Sequence, residues 1–432
     1  YQFARRIAKE CAPVITVHQA GGAAAGELYP RDDMLEGCKC LAPGTEIAMH
    51  NAPNKKVEDV VIGDLLMGPD GAPRKVLSTT QGEAPMFRVA HRNGDYYDVT
   101  HNHTLTLQKR TNRTTLYAPS NYGDVVDIPL DTFLRYKKAR PTFLGFWGTT
   151  EYMHREVPVD PYIMGLWLAD GSSSKPEFST MDAEISTAVK RWAGDSYRDH
   201  HDDNRCCYPR VSSGKPGRPN WFLNQLRELG VCGNKHIPEL YLYNSTSIRR
   251  ELLAGYIDGN GSLSIRPRNT YFDVCCRQRV LAEQLHQLAK SVGLYSSMRM
   301  YKSGLHRLYM CGALGDIPTK IRRKQSTFTA MRPRTSSLKV TPLGRGTYHG
   351  FSLDGDGRLV LGNLIVTHNT EIQGELDVQI MMGRTDGPGR EHTRGLNIVK
   401  NKLASPGDEN YRHAQWEVTI RPDIARFESA EA

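Results

Sequence analysis

The chain has 432 residues, of which 39% are hydrophobic and 24% charged, and carries a net charge of +9. That length exceeds what one ordinary core organises, so two or three compact units are expected. No apolar run is long enough to cross a bilayer and no signal-peptide pattern occupies residues 1–10, which argues against membrane and secreted classes and leads us to expect a cytoplasmic protein with no membrane partner.

In chain order, residues 3–11 read as an amphipathic helix. The β-branched run at 12–17 reads as a buried strand, followed by Gln19 and a Gly/Ala-rich loop. Because the chain opens at Tyr1 directly on this helix pattern and without a methionine, a piece of a longer gene product is expected. At Cys40 the texture changes to short alternating strands, expected at 57–66, 74–79, 86–90 and 96–107, with Gly-Pro, Pro-Asp-Gly and Asn-Gly turns between them. Helical periodicity takes over at 162–169, 221–229, 247–257 and 280–292, mixed with strands at 296–301 and 305–311. Beyond a basic linker at 320–334, strands resume at 338–340, 348–353 and 358–367. An all-β texture therefore stands on both sides of an α/β insertion. The tail from Thr370 shows strand patterns at 376–384, 396–402 and 416–420. Neither it nor residues 1–39 could bury a core alone, so the two are expected to be pieces of one domain.

Charge is not spread evenly. Residues 161–325 hold 24 Lys/Arg against 15 Asp/Glu while the rest of the chain balances, the footprint expected of a polyanion-binding segment. Nine cysteines include the adjacent pairs Cys206/Cys207 and Cys275/Cys276 but no CxxC spacing, so neither a disulfide framework nor a zinc site is indicated. Calcium is rejected for the Asp-Gly loops at 258–263 and 354–359, which lack glycine at the sixth position of an EF-hand loop.

Three features occur in one meaningful order: Cys40-Leu41-Ala42-Pro43-Gly44-Thr45 at the start of the β texture, Thr100-His101-Asn102-His103 inside it, and Val366-Thr367-His368-Asn369-Thr370 at its end. Singly each is ordinary; together they resemble the terminal and internal motifs of inteins, the Hint-fold family. The resemblance implies self-splicing without a cofactor. Cys40 would attack the carbonyl of Lys39 to form a thioester, with Thr100 and His103 gripping the scissile amide and protonating its nitrogen. Thr370 would take over the acyl group, and Asn369 would cyclise with help from His368. The family's usual Asp and His of the penultimate motif are missing from residues Tyr348 to Leu361 (YHGFSLDGDGRLVL), where Gly350 and Leu359 or Val360 stand instead. Asp354, Asp356 and His349 are the substitutes considered, with an exposed turn expected for His349.

The segments Ile163-Met164-Gly165-Leu166-Trp167-Leu168-Ala169-Asp170-Gly171 and Leu253-Ala254-Gly255-Tyr256-Ile257-Asp258-Gly259-Asn260-Gly261 repeat one another. They resemble the paired helices of LAGLIDADG homing endonucleases. This implies a double-stranded DNA target and Mg²⁺ held by Asp170, Asp258 and Asn260, with Lys235 orienting water or screening charge. Asn260 replaces the second carboxylate, so impaired cleavage is expected. Joining Lys39 to Thr370 yields a sequence resembling the C-terminal part of a RecA-fold replicative helicase of the hexameric type. Gln19 would be its phosphate sensor, and Lys400 and Lys402 would reach a neighbour's nucleotide. Its partners would be single-stranded DNA and its own copies in a homo-hexamer. No G-x-x-x-x-G-K-[ST] occurs, so ATP is a cofactor only of the complete host.

The expected fold class is therefore multidomain. Residues 1–39 and 370–432 are RecA-like α/β flanks, 40–155 and 326–369 form an all-β Hint splicing domain, and 156–325 are an α/β endonuclease. The competing reading is a non-splicing, decayed DNA-binding insertion in a recombinase-like ATPase.

Overall fold

The computed structural model describes residues 40–111, 121–135, 142–148, 150–201, 206–214, 217–266, 269–329, 334–369, 378–383, 390–401, 414–421 and 426–429. The helix and strand expected at 3–11 and 12–17 lie outside them.

The first body is built from β1 (Glu46–Met49), β2 (Ala52–Lys56), β3 (Leu65–Met67), β4 (Pro73–His91), β5 (Tyr96–Thr100), β6 (Thr104–Lys109), β7 (Val125–Pro129), the short helix α1 (Leu130–Arg135) and β8 (Phe143–Phe146). Far along the chain, β15 (Thr335–Ser336), β16 (Leu338–Leu353), β17 (Arg358–Val360) and β18 (Val366–His368) return to it. The seam between the two stretches is the antiparallel pair β4–β16, in register from Leu338 opposite His91 to Leu353 opposite Val76, with bulges at Pro342/Gly344 and Ser352/Leu353. Bulges let so long a ribbon bend and twist over a core instead of standing off it. Under the ribbon Leu41, Ile47, Val89, Val99 and Leu105 pack with Phe351, Leu359, Leu361 and Ile365. One core thus draws side chains from both ends of the insertion.

Several expected elements are redrawn. The separate strands at 74–79 and 86–90 are a single β4, because cross-strand pairing to β16 carries the backbone through Gly82 and Pro85. The strand expected at 57–66 is instead a 3-10 turn at Val57–Asp59, a loop and then β3. The strand expected at 96–107 breaks at His101–His103 between β5 and β6. The run 358–367 folds back as the β17–β18 hairpin.

The second body contains α2 (Pro161–Asp170), α3 (Ala183–Ala193), the two-residue strands β9 (Tyr197–Arg198) and β10 (Arg210–Val211), α4 (Trp221–Glu228), α5 (Glu239–Leu242), α6 (Thr246–Asn260), β11 (Gly261–Arg266), β12 (Asn269–Cys276), α7 (Arg279–Ser291), β13 (Tyr295–Met300) and β14 (His306–Cys311). Helix α3 was not foreseen from the sequence. Helix α2 starts where Asp160 accepts a bond from the Ile163 N–H (3.1 Å) and Pro161 takes the first turn. It is apolar all round because it is surrounded: Tyr162 to Leu168 are all buried.

The axis of this body is the contact between α2 and α6. A Cβ on Gly165 would lie 2.1 Å from the Leu252 carbonyl oxygen, and one on Gly255 would lie 2.0 Å from that of Tyr162. The reciprocity of these two approaches is a pseudo-twofold relation. It pairs Gly165 with Gly255, Asp170 with Asn260 and Leu168 with Asp258. Behind α6, the antiparallel sheet β11-β12-β14-β13 packs against α7 and borders an open cleft with Asp273, Ser297, Arg299, Arg307 and Tyr309. The tail forms a further antiparallel sheet, β19 (Val378–Gly383), β20 (Thr393–Asn401), β21 (Ala414–Arg421) and β22 (Arg426–Ser429), in sequential order. Among the described residues no helix is long and apolar enough to cross a membrane.

Candidate functional site

Cys40 is 1% exposed. Its N–H donates to the Thr100 hydroxyl at 3.1 Å, and its carbonyl accepts from the Thr100 N–H at 3.1 Å. The next residue, Leu41, is bridged to Val99 on one side and His349 on the other, so Cys40 is held beside β5 and β16. Gly350 closes over the thiol: a Cβ there would lie 2.3 Å from the Cys40 sulfur, so glycine is required by contact.

The break between β5 and β6 is what delivers His103. Its N–H donates to the Thr100 carbonyl (3.1 Å), turning the imidazole into the core, where Nε2 lies 2.7 Å from the Thr367 hydroxyl. Thr367 sits in β18, two residues before Asn369. The Tyr97 hydroxyl also bonds to Thr367, and the Tyr97 ring lies edge-on to His103 with centroids 6.2 Å apart. Burial pushes the Tyr97 phenol far above its ordinary range, so this hydroxyl stays protonated. Asn369 is buried, its N–H bonded to the Gly357 carbonyl at 2.9 Å, and His368 faces Arg358 across the hairpin. A continuous set of contacts thus runs from Cys40 through Thr100, His103 and Thr367 to the strand that ends at His368, next to Asn369. Thr370 lies outside the described residues.

Asp354 and Asp356 are engaged elsewhere, Asp354 accepting from the Lys75 N–H (2.8 Å) and Asp356 from Arg74 (3.3 Å). His349 is not in an exposed turn; it is half-buried in β16 with its backbone paired to Leu41. Tyr97 and Thr367 were missed in the sequence. Their only signal there is a polar group at an inward-facing strand position.

In the second body, Asp170 reaches the surface at the C-terminal end of α2, and its symmetry mate Asn260 does so at the end of α6. The two ends adjoin, since a Cβ on Gly259 would lie 3.5 Å from Asp170 Oδ2. Burial of its surroundings raises the Asp170 pKa, against the opposing pull of Lys235 and Lys324. Lys235 donates to the Gly171 carbonyl at 2.7 Å and lies over the Trp167 ring at 5.1 Å; desolvation brings its pKa down to about 8. Asn260 donates to the Cys275 carbonyl at 2.9 Å. Lys324, unnoticed in the sequence, donates to the carbonyls of Ile257 (3.0 Å) and Asp258 (2.6 Å), so each of the paired helices ends under a lysine.

Asp258 is placed differently from the expectation of a metal ligand. It is 0% exposed, and one carboxylate oxygen accepts from the Tyr162 hydroxyl (2.7 Å) and from the N–H groups of Lys320 (2.5 Å) and Ile321 (3.3 Å). Its counterpart in the first copy is the core residue Leu168, which explains why it points inward. A cleft of about 680 Å³ opens beside Asn260, bordered by Ser262, Asp273, Arg307, Arg323 and Lys324. Arg307 and Arg323 are held by Asp273 and Asp182, while Arg266, Arg299 and Lys302 have no acidic partner among the described residues.

Of the host positions, Gln19 and Lys402 lie outside the described residues, and Lys400 is placed only by its backbone, opposite Gln379.

Residues 40–121 match the family model described as Hom_end-associated Hint. The chain is similar to the replicative DNA helicase DnaB of Mycobacterium intracellulare, 28% identical over 235 residues, which are 48% of this chain and 35% of that relative's length. The I-DmoI structure in complex with DNA and Mn aligns over 35% of this chain and 88% of its own at 11% identity, with a TM-score of 0.27. The Msm DnaB1 intein splicing domain bound with zinc aligns over 21% of this chain and 81% of its own at 22% identity, with a TM-score of 0.15. A Hint match that begins at Cys40, in a chain similar to a DnaB helicase over about a third of that relative's length, fits an intein that interrupts a DnaB-type sequence.

Proposed function

We propose that residues 40–369 excise themselves and join Lys39 to Thr370, with 40–155 and 326–369 as the splicing domain. The observation that carries this reading is the buried run of contacts from Cys40 to the strand that ends at His368, next to Asn369. The Cys40 thiolate adds to the Lys39 carbonyl; the C–N bond breaks and the departing nitrogen takes a proton, with Thr100 and His103 as the nearby proton-handling groups. The Thr370 hydroxyl then displaces the Cys40 sulfur to give a branched ester. The Asn369 side-chain nitrogen attacks its own main-chain carbonyl, releasing the Thr370 amine and leaving a succinimide. That amine takes the acyl group from its own oxygen, forming the Lys39–Thr370 peptide bond. Intact mass after expression, beside a Cys40→Ala/Asn369→Ala double variant, tests the sequence of steps. A ligated flank product and a free insert in the parent alone are expected; an unchanged full-length mass in both would overturn the proposal.

For residues 156–325 we propose cleavage of double-stranded DNA, with the basic excess over the insertion and the cleft bordered by β11–β14 as the binding surface. Asp170 and the Asn260 carbonyl would hold a divalent cation, Mg²⁺ by the hardness of these oxygen donors; when bound it would polarise the phosphodiester and acidify water. Lys235 lies where it would screen the developing charge. Because the symmetry mate of Asp170 is an amide and Asp258 is committed to the core, one strand is cut faster than the other. Asn260→Asp is expected to shift products on a target plasmid from nicked to linear; nicking and linearisation unchanged by the substitution would remove the argument from asymmetry.

The host is proposed to be a replicative helicase acting as a ring on single-stranded DNA with ATP, on the strength of the DnaB similarity.

A further inference from the structure

The two halves of the second body are unequal in a way that points to a staple. The sheet that follows α6 has strands of six to eight residues in unbroken register. Among the described residues, the region that follows α2 pairs its backbone through the two-residue strands β9 and β10 and the isolated bridges Gly171–Phe178, Glu177–Arg210, Thr180–Cys207 and His201–Cys207. Strands so short cannot hold each other by ladder hydrogen bonds alone. At the weakest point, where His201 bridges Cys207, three side chains of metal-binding type converge. Asp199, His201 and Cys207 bring a carboxylate oxygen, an imidazole nitrogen and a sulfur all within 4.8 Å of one another. Asp199 and His201 lie in the segment that follows β9, with His201 Nε2 and Asp199 Oδ2 4.0 Å apart. Cys207 comes from the facing segment that leads to β10 and is 8% exposed, while the other two are open to solvent.

We propose that Asp199, His201 and Cys207 form a zinc site that ties the two segments together. The donor set is mixed sulfur, nitrogen and oxygen, which suits borderline Zn²⁺ and disfavours Mg²⁺ or Ca²⁺. Three protein ligands leave a fourth position for water. The 4.0 Å between His201 Nε2 and Asp199 Oδ2 exceeds the roughly 3.4 Å edge of a tetrahedral zinc shell, so the two exposed side chains would have to close on the metal. On binding, the Cys207 S–H loses its proton to solvent and the sulfur bonds the metal. Ser186, whose hydroxyl donates to the Cys207 sulfur at 3.4 Å, and Tyr197, whose hydroxyl donates to Asp199 at 3.0 Å, are placed to orient two of the ligands. No CxxC announces the site, because its ligands are joined across a bridge and not along a turn.

The site is independent of splicing and of DNA cleavage, so it is tested by metal binding. The unspliced Cys40→Ala/Asn369→Ala chain is the parent, which also removes the Cys40 thiol as a competitor. Zn²⁺ titration by calorimetry, Co²⁺ absorption in the thiolate charge-transfer region, and amide exchange across 197–211 with and without Zn²⁺ are compared with the same chain carrying Cys207→Ser or His201→Asn. The expected result is one tight Zn²⁺ site in the parent, a thiolate–Co²⁺ band absent from Cys207→Ser, at least about tenfold weaker binding in His201→Asn, and slower exchange across 197–211 only when metal is bound. Zn²⁺ binding equal in parent and Cys207→Ser, or no saturable binding by a parent whose circular dichroism is native, would overturn it. His201→Asn serves as the check should Cys207→Ser fail to fold.

Discussion

At the scale of single residues, the splicing centre depends on polar groups in a place where unmade hydrogen bonds are costly. His103 and Thr367 are both 0% exposed, so their 2.7 Å contact is made out of water and fixes the imidazole proposed to serve Cys40. Thr367→Val preserves shape and removes the hydroxyl. Splicing should slow about tenfold, the rate equivalent of one net hydrogen bond, with little change in fold, as followed by the time course of product mass. His91 presents the opposite case. It is buried with neither ring nitrogen hydrogen-bonded among the described residues, and desolvation lowers its pKa to about 4. Its folded pKa lies below its unfolded one, so the unfolded chain takes up the proton first and stability falls as pH drops from 6.5 toward 4. The loss approaches roughly 3 kcal/mol at the acid end. Urea unfolding between pH 7 and 4 should show that slope, and His91→Leu should flatten it.

At the scale of elements, the two helices α2 and α6 meet with backbone touching backbone. That is why the repeat carries glycine at 165 and 255, and why the apolar stretches are tolerated: they bury each other. Gly255→Ala would set a methyl 2.0 Å from the Tyr162 carbonyl oxygen, which no rotamer relieves. A cost of about 3 kcal/mol or more is expected, seen as a lowered thermal midpoint and rapid proteolysis between 156 and 325. A Gly255→Ala insert as stable as the parent would mean that the helices are not packed as described. The β4–β16 ribbon works in the opposite sense, through many ordinary cross-strand bonds, and a single substitution at one of its exposed positions should be absorbed.

At the scale of the whole molecule, the two bodies share a buried ionic junction. Asp95, in the turn between β4 and β5, faces Lys290 (2.5 Å) and His286 (3.2 Å) of α7, and Lys290 also donates to the Asn363 carbonyl (2.7 Å) in the turn between β17 and β18. Burial opposes charge on Asp95, but Lys290 and His286 more than offset it and hold its carboxyl well below the usual range. One lysine of the second body therefore joins the turn that precedes β5, which ends at Thr100, to the turn that precedes β18, which ends at His368. Lys290→Met alone should cost about 3–5 kcal/mol, because it strands a buried carboxylate. Adding Asp95→Asn should restore much of the loss, and a double-mutant cycle on urea stability measures the coupling.

The sequence by itself determined the order of parts. The Cys40 and His368-Asn369 ends, the Thr-x-x-His turn, the repeated helices and the basic insertion are local patterns whose chemistry depends on residue type and short spacing, so they could be read without a fold. It did not determine partners far apart in the chain. The continuity of β4 through Pro85 comes from pairing to β16; the role of Thr367 comes from the approach of His103; the burial of Asp258 comes from the pseudo-twofold that sets it opposite Leu168. The cluster of Asp199, His201 and Cys207 likewise exists only because a β-bridge closes. In each case the deciding term is a contact across a long loop or between chain segments, and alternation or motif spacing along one strand carries no information about which distant strand will arrive beside it.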